Sequence, residues 1–364
     1  MKPLPEPNMS TPRALVVIGC GNIGSQVVPL LASLAIERVD LIDPDRYEAG
    51  NRGYQHFAPG DVGRPKALVQ ARRLRALRPD ITVEAHICRF EDMPLGRLSG
   101  RMLLACVDSR AARQAINRAA FALGVPWIDA ALGREGSVRA RGYVPGVSAA
   151  CMQCAWDAGD YALLEQKAPC PGFPGADPAT RTAAPMELGA LSAALQVGIA
   201  RRLLAGEPGS VVDRQWLYDL PSGQGRVTRY EADPACRIDH APWRITTLAG
   251  SVNMALGDAL ALAHTEAELA VPGMVFVTRL RCPAGHAIRR QAHRLSGRLR
   301  SRPCPVCGAS LMASALDYEP RLSGRDSPPR LLREPLSGRG FVAGDIFALH
   351  GSGADAPTLY FQLA

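Results

Sequence analysis

The stretch Ala14–Val28, ALVVIGCGNIGSQVV, restricts this chain more than any other. Leu15 to Ile18 are four consecutive apolar residues, the pattern of a strand buried on both faces. They run into Gly19-Cys20-Gly21-Asn22-Ile23-Gly24, a G-x-G-x-x-G turn, and then into a helix-like run from Ser25 to Ala35. In that order, a strand, a glycine turn and a helix aim backbone N–H groups and a helix N-terminus at one point where an anion can sit. The glycines give a tight turn, close approach to a phosphate and close helix–strand packing. The motif specifies a nucleotide, but by itself it suits NAD as well as ATP.

Downstream, apolar strand patterns alternate with helical ones. Arg38–Asp43, Ile81–His86, Met102–Val107 and Pro126–Ala131 read as strands. Ala67–Leu77 and Ala111–Leu123 read as amphipathic helices. This alternation predicts an α/β fold with a doubly wound, mostly parallel sheet. Asp43 stands 24 residues after Gly19, a position and distance suited to ribose hydroxyls. Asp43 then opens a series, Asp45, Asn51, Gln55 and Lys66, that a dehydrogenase does not need. Asp108 follows the fourth strand. Each has a purely structural alternative: Asp43 as the cap of a strand–loop junction, Lys66 as an exposed helix start, Asp108 as the N-cap of the next helix.

Hydrophobic residues at 47% and charged ones at 21% fit an ordinary globular protein. The N-terminal MKPLPEPNMSTPR lacks the apolar core of a signal peptide, and Leu188–Ala200 is too short to span a bilayer. The expected compartment is the cytoplasm, with no membrane association. The net charge is +8, and Arg281–Gly340 alone carries 12 Arg against 4 acids. That excess suits an acidic partner or a merely solvated surface. With aromatics at 5%, little is available to stack on bases, so nucleic acid is not the expected partner.

GCGNIG, DPDRYEAGN, QHF, GRPKA, CVDSRAARQAINRAA and VPWIDAA occur in one order between Ala14 and Ala131. With CMQC and PMELGALSAALQVGIARRLLAG further on, they resemble the ThiF/MoeB/ubiquitin-activating (E1-like) superfamily over roughly residues 14–240. That resemblance implies a Rossmann-like domain that uses ATP and Mg²⁺ to adenylate the C-terminal glycine of a ubiquitin-fold protein. It further implies that Gly19, Gly21 and Gly24 face the ATP phosphates and that Asp43 holds the ribose. Asn51, Gln55 and Lys66 would line the phosphate region, and Asp108 would bind Mg²⁺ or orient the nucleotide. The expected partners are a ubiquitin-like or sulfur-carrier protein, an E2-like conjugating enzyme and a second copy in a homodimer. A non-catalytic scaffold of the same fold is the alternative to an enzyme. The sequence departs from the family at Tyr54, where relatives carry an arginine three residues after the Asn. Arg52 is near but off-register, and Arg13 is the only arginine before the first strand.

The ten cysteines sort by neighbourhood. Cys20, Cys88 and Cys106 lie in or beside strands and read as small core residues. Cys151-x-x-Cys154 and Cys236-x₃-His240 flank the helix Met186–Leu204, and relatives often hold a structural zinc with two such pairs. Cys282-Pro-Ala-Gly-His286 and Cys304-Pro-Val-Cys307-Gly308 suit a zinc ribbon over residues 282–307, with His293 as a competing ligand. Cys170 remains, in the Pro/Gly-rich stretch 168–185. In the resemblance this stretch is the crossover loop, so Cys170 is the expected thioester-forming residue, with Arg181 near enough to favour its thiolate. The predicted domains are 1–240 for adenylation and 241–364 for a small zinc-ribbon unit. In the latter, Ser251–Leu269 reads as a helix, Pro320–Arg339 as a loosely held linker, and Gly344–His350 with Leu359–Leu363 as a hairpin.

Overall fold

The computed structural model describes residues 13–133, 136–165, 184–249, 251–263, 266–286, 289–295, 303–312, 317–352 and 356–364. The chain divides into two compact units: residues 1–90 with 98–242, and residues 91–97 with 243–364.

The first unit begins with β1 (Ala14–Ile18), α1 (Asn22–Leu30), β2 (Arg38–Ile42), α2 (Lys66–Leu77) and β3 (Thr82–His86). It continues with β4 (Met102–Ala105), α3 (Arg110–Leu123), β5 (Trp127–Leu132) and β6 (Ser137–Tyr143), then α4 (Ala158–Glu165), α5 (Met186–Leu204), β7 (Arg214–Asp219) and β8 (Gln224–Arg229). One eight-stranded sheet runs β3-β2-β1-β4-β5-β6-β7-β8. The pairings from β3 to β5 are parallel and those from β5 to β8 antiparallel. From β1 the chain winds outward to β2 and β3, then crosses back to β4 and β5 on the other side. Right-handed crossovers therefore put α1 and α2 on one face and α3 on the opposite one. Helix α5 packs on α1, β5 and β6. The core between these helices and the sheet includes Leu15, Val17, Val27, Val39, Leu41, Leu104, Ile128 and Ala200, each fully buried.

The opposite face of β2 carries a polar cluster. Asp40 is 2% exposed and accepts hydrogen bonds from Arg38 Nε (3.0 Å), His86 Nε2 (2.9 Å) and Arg101. Burial raises its carboxyl, but the hydrogen bonds from His86 and Arg38 and the charge of Arg101 outweigh it. The group is lowered from 3.8 to about 2. A depressed folded value stabilises the fold above the ordinary value and is lost as pH falls through it towards 2. Asp40→Asn is expected to lower unfolding free energy by about 1–2 kcal/mol at pH 7, discounted for the water reaching its partners. The difference should shrink below pH about 4. Urea titrations at pH 7 and pH 3 check it; equal losses at both would show that the charge is not what matters.

The second unit contains β9 (Ile245–Leu248), α6 (Leu256–Ala261), β10 (Ala267–Ala270), β11 (Val275–Leu280), β12 (Arg289–Leu295), β13 (Tyr318–Glu319), β14 (Leu322–Ser323), α7 (Pro329–Leu332), β15 (Ile346–Gly351) and β16 (Leu359–Leu363). Two sheets form, β14-β10-β15-β16-β9 and β12-β11-β13. The expected closing hairpin is present as β15 paired antiparallel with β16. Two expectations fail here. The helix predicted over Ser251–Leu269 ends at Ala261, because Ala267–Ala270 pairs as a strand between β14 and β15 and buries Leu269. Pro320–Arg339 is no loose linker: Leu322, Leu336 and Arg339 are 2%, 0% and 2% exposed, and the two leucines join the core around Phe347 and Leu349.

Candidate functional site

The sheet reverses its winding between β1 and β4, which opens a crevice at the C-terminal ends of those two strands. The glycine turn follows β1 and Asp108 follows β4. Gly19 has φ +93° and donates its N–H to Ile42 O at 2.8 Å; a Cβ there would lie 2.5 Å from Cys106 O, so the two loops touch. A Cβ on Gly24 would lie 1.9 Å from Gly19 O. Gly21 differs, since a Cβ on it would meet nothing nearer than Gln55 Nε2 at 3.9 Å. Gly19 and Gly24 are thus demanded by the fold, whereas Gly21 leaves space. Gly21 also caps α1 without a side chain, and no acid occupies the first turn, so that helix end suits an anion.

A hydrogen-bonded loop is pinned to this turn. Asp43 is 5% exposed, and its Oδ2 accepts Cys20 N at 2.6 Å while its Oδ1 accepts Asp45 N at 2.8 Å. Burial raises its carboxyl, opposed by the Cys20 N–H and the charge of Lys66. The expected structural role, tying strand to loop, is therefore filled. Tyr47 Oη donates to Cys20 O at 3.1 Å and accepts from Gln70 Nε2 at 2.6 Å. Its ring stacks on Phe57 at 4.1 Å between centroids, and Ser25 Oγ accepts His56 N at 2.9 Å.

Lys66, the first residue of α2, is only 4% exposed, so it is no solvated helix start. Its Nζ lies 3.3 Å from Asp45 Oδ2 and 5.9 Å from the Tyr47 ring centroid. Asn51 Oδ1 accepts Glu48 N at 2.9 Å and closes its own short turn. Gln55 Oε1 is buried with no partner among the described residues. Asp108 is exposed, and the cap of α3 is Ser109 instead, whose Oγ accepts Ala112 N at 3.0 Å. That leaves the Asp108 carboxylate uncommitted among the described residues. Of the two arginines that the sequence offered in place of the family's, Arg13 pairs with Glu37 at 2.6 Å and Arg52 is exposed, as is Tyr54 at 38%.

Sequence reasoning missed Tyr47, Gln70 and Asn22. Asn22 Nδ2 donates to Ala184 O at 2.6 Å, joining the turn to the residues just before α5, and Gly189 makes room for its Oδ1. A non-glycine inside the glycine turn was the available signal.

Two clusters of metal-ligand type form. In the first, Cys151 Sγ lies 3.7 Å from Cys236 Sγ and 3.9 Å from Cys154 Sγ, with His240 Nε2 3.5 Å from Cys154 Sγ. Asn117 and Phe121 of α3 back it: Asn117 Oδ1 accepts Met152 N at 3.3 Å, and the Phe121 ring lies 5.4 Å from that of His240. In the second, Cys282, His286, Cys304 and Cys307 bring four donor atoms within 4.8 Å of one another. A third group, Asp40, Glu84 and His86, is neutralised by Arg38 and Arg101 and so does not suit a cation. Cys20 and Cys106 are core thiols pushed upward by burial, and Cys88 is half-buried. Cys170 and Arg181 lie outside the described residues.

The profile of the ThiF family matches residues 11–238. The chain belongs to the ThiF family. Among its curated relatives, ubiquitin-like modifier-activating enzyme 5 of Dictyostelium discoideum is 30% identical over 156 residues, covering 39% of this ThiF-family chain and 41% of its own length. The sulfur carrier protein adenylyltransferase of Thermus thermophilus is 29% identical over 232 residues, 62% of this chain and 81% of its own. The alignments thus span about two fifths of the first relatives' length. E. coli MccB, in a structure with ATP, superposes over 62% of this chain and 66% of its own at TM-score 0.50 and 22% identity, a likeness of fold. Among the described residues no helix is long and apolar enough to cross a membrane.

Proposed function

We propose that this ThiF-family chain adenylates the C-terminal glycine of a ubiquitin-like protein. The observation that carries the reading is the crevice itself: room for a Cβ at Gly21, a buried Lys66, and an Asp108 uncommitted among the described residues at the switch point of the sheet. The partner's carboxylate oxygen attacks the α-phosphorus of ATP, a P–O bond forms to give the acyl adenylate, and pyrophosphate leaves. Negative charge grows on the phosphate oxygens in that step. Lys66, already desolvated, and the N–H groups at the start of α1 stabilise it without reorganising. Asp108 is the residue to hold magnesium, which when bound supplies charge neutralisation on the phosphates. Asp43 orients the ribose, and Asn51 and Gln55 line the same cavity, with Gln55 Oε1 awaiting a donor.

Cys170 then takes the acyl group: its thiolate attacks the acyl carbon and AMP leaves. A second reading, activation of a sulfur carrier, is favoured by the length over which the Thermus relative aligns. The first cysteine cluster fits a structural zinc, since its spacings match the edges, about 3.8 Å, of a tetrahedron with Zn–S near 2.3 Å. It ties the loop after β6 to residues 236–240.

The test is ATP–pyrophosphate exchange with a ubiquitin-fold protein ending in glycine. Exchange that appears only with that partner is the expected result, and its absence with every such partner overturns the proposal. An acyl-enzyme that resists reductant in Cys170→Ser, where wild type is reductant-sensitive, supports the transfer step. Reductant-sensitive acylation surviving Cys170→Ala removes that step alone.

A further inference from the structure

We infer that the second unit holds its own zinc ion, in a Cys₃His site built from Cys282, His286 Nδ1, Cys304 and Cys307. This site lies outside the stretch matched by the family and is independent of the adenylation reading.

Two short knuckles converge. The first follows β11, and Gly285 donates its N–H to Cys282 O at 3.0 Å with φ +79°. The second is Cys304–Gly308, where Gly308 has φ +73° and donates to Cys304 O at 2.8 Å, while Cys304 N donates to Ala309 O at 2.8 Å. Both glycines adopt the left-handed conformation that lets a chain fold back around one point. The knuckles are fixed from outside by the bridges Arg281–Met312 and Pro303–Ser310. Cys282 Sγ lies 3.4 Å from Cys307 Sγ and 3.5 Å from His286 Nδ1, and Cys304 Sγ lies 3.8 Å from the same nitrogen. Tetrahedral zinc, with Zn–S about 2.3 Å and Zn–N about 2.0–2.1 Å, requires S–S edges of about 3.8 Å and S–N edges of about 3.6 Å. His286 comes directly after its knuckle glycine, so its short reach presents Nδ1; in the first cluster the histidine presents Nε2.

The set is chemically complete. Four ligands close a structural site and leave no position for substrate. Three thiols release their protons as the ion binds, so affinity falls with acid. Cys282 and Cys304 are buried, while Cys307 is exposed and opens the ion to chelators from one side. Arg281, beside the first ligand, pairs with Asp317 at 3.3 Å and therefore leaves the cluster to its own charge balance.

Elemental analysis of the full-length protein tests this. Two zinc ions per chain are expected. Cys307→Ser, at an exposed position, should leave one, Cys236→Ser should leave the other one, and the double variant none. Cobalt substituted into Cys236→Ser should give the visible absorption of a tetrahedral thiolate site, absent when Cys307→Ser is added. Should Cys307→Ser fail to fold, alkylation of the wild-type chain provides the readout: Cys282, Cys304 and Cys307 resist the reagent until a chelator is added. One zinc per chain that Cys307→Ser does not remove, or a Cys282–Cys307 disulfide in the purified metal-free protein, overturns the proposal.

Discussion

Lys66→Ala lowers partner-dependent ATP–pyrophosphate exchange by about 10²–10³-fold, the usual cost of removing one preorganised donor from a developing oxyanion. The side chain is buried beside Asp43 and Asp45, so its charge has been desolvated before substrate arrives. The loss should fall on the turnover rate rather than on partner affinity, because the ammonium meets charge that grows only in the transition state. Lys66→Met keeps much of the apolar stem and separates the lost charge from lost packing. A Lys66→Met enzyme that exchanges pyrophosphate within about threefold of wild type would exclude this role for the residue. Asp108→Asn should act in parallel, with an added shift of the magnesium requirement to higher concentration.

Gly24→Ala and Gly21→Ala separate folding from binding within one turn. A methyl group on Gly24 has to enter the space of the Gly19 carbonyl, 1.9 Å away and part of the backbone. The expected cost is about 3 kcal/mol, the upper end for overpacking, with nucleotide binding lost through distortion. On Gly21 the same methyl group makes only an ordinary contact, 3.9 Å from Gln55 Nε2, and the cost is about 1 kcal/mol for an unsuitable residue at an N-cap. Yet nucleotide affinity should fall in Gly21→Ala as well, because the methyl group takes the place of a phosphate. Urea unfolding and calorimetric titration with a non-hydrolysable ATP analogue read the two quantities. Unchanged nucleotide affinity in Gly21→Ala would move the phosphates away from this turn.

Much of the first unit was legible because its signals are local. Ala14–Ile18, between Arg13 and Gly19, and Met102–Val107, between Arg101 and Asp108, are short apolar runs bounded by glycine or charged residues, and β1, β2, β3, β4 and β5 all fall where the pattern put them. β6 and β8 were not: in β6 Arg139 and Arg141 alternate with small residues that give a weak apolar signal, and β8 is exposed, with Val227 its one large apolar residue. Their pairing is supplied by neighbours rather than by their own composition. In the second unit, Ala267–Leu269 ends the run Ser251–Leu269 that reads as helix, and pairing with β15 overrides that pattern. For the site, spacing grouped the four donors of the second cysteine cluster, and the resemblance to relatives grouped those of the first. What spacing could not supply was depth. Tyr47, in a loop between polar residues, is 1% exposed, and nothing in DPDRYEAGN distinguishes a tyrosine aimed at Cys20 O from one aimed at water.

Residues 91–97 stand in the sequence between β3 and β4 of the first unit but belong to the second. Gly96 N donates to Gly344 O at 2.8 Å, and a Cβ on Gly96 would collide with Gln362 of β16. During synthesis this short segment emerges long before β15 and β16 exist. The second unit therefore cannot mature as a consecutive stretch of newly made chain, and the early heptapeptide waits for strands still to be translated. Any fragment beginning at Trp243 lacks a piece of its own wall, so the boundary between the two units, clean in the tally of residues, is not a place where the gene can be cut.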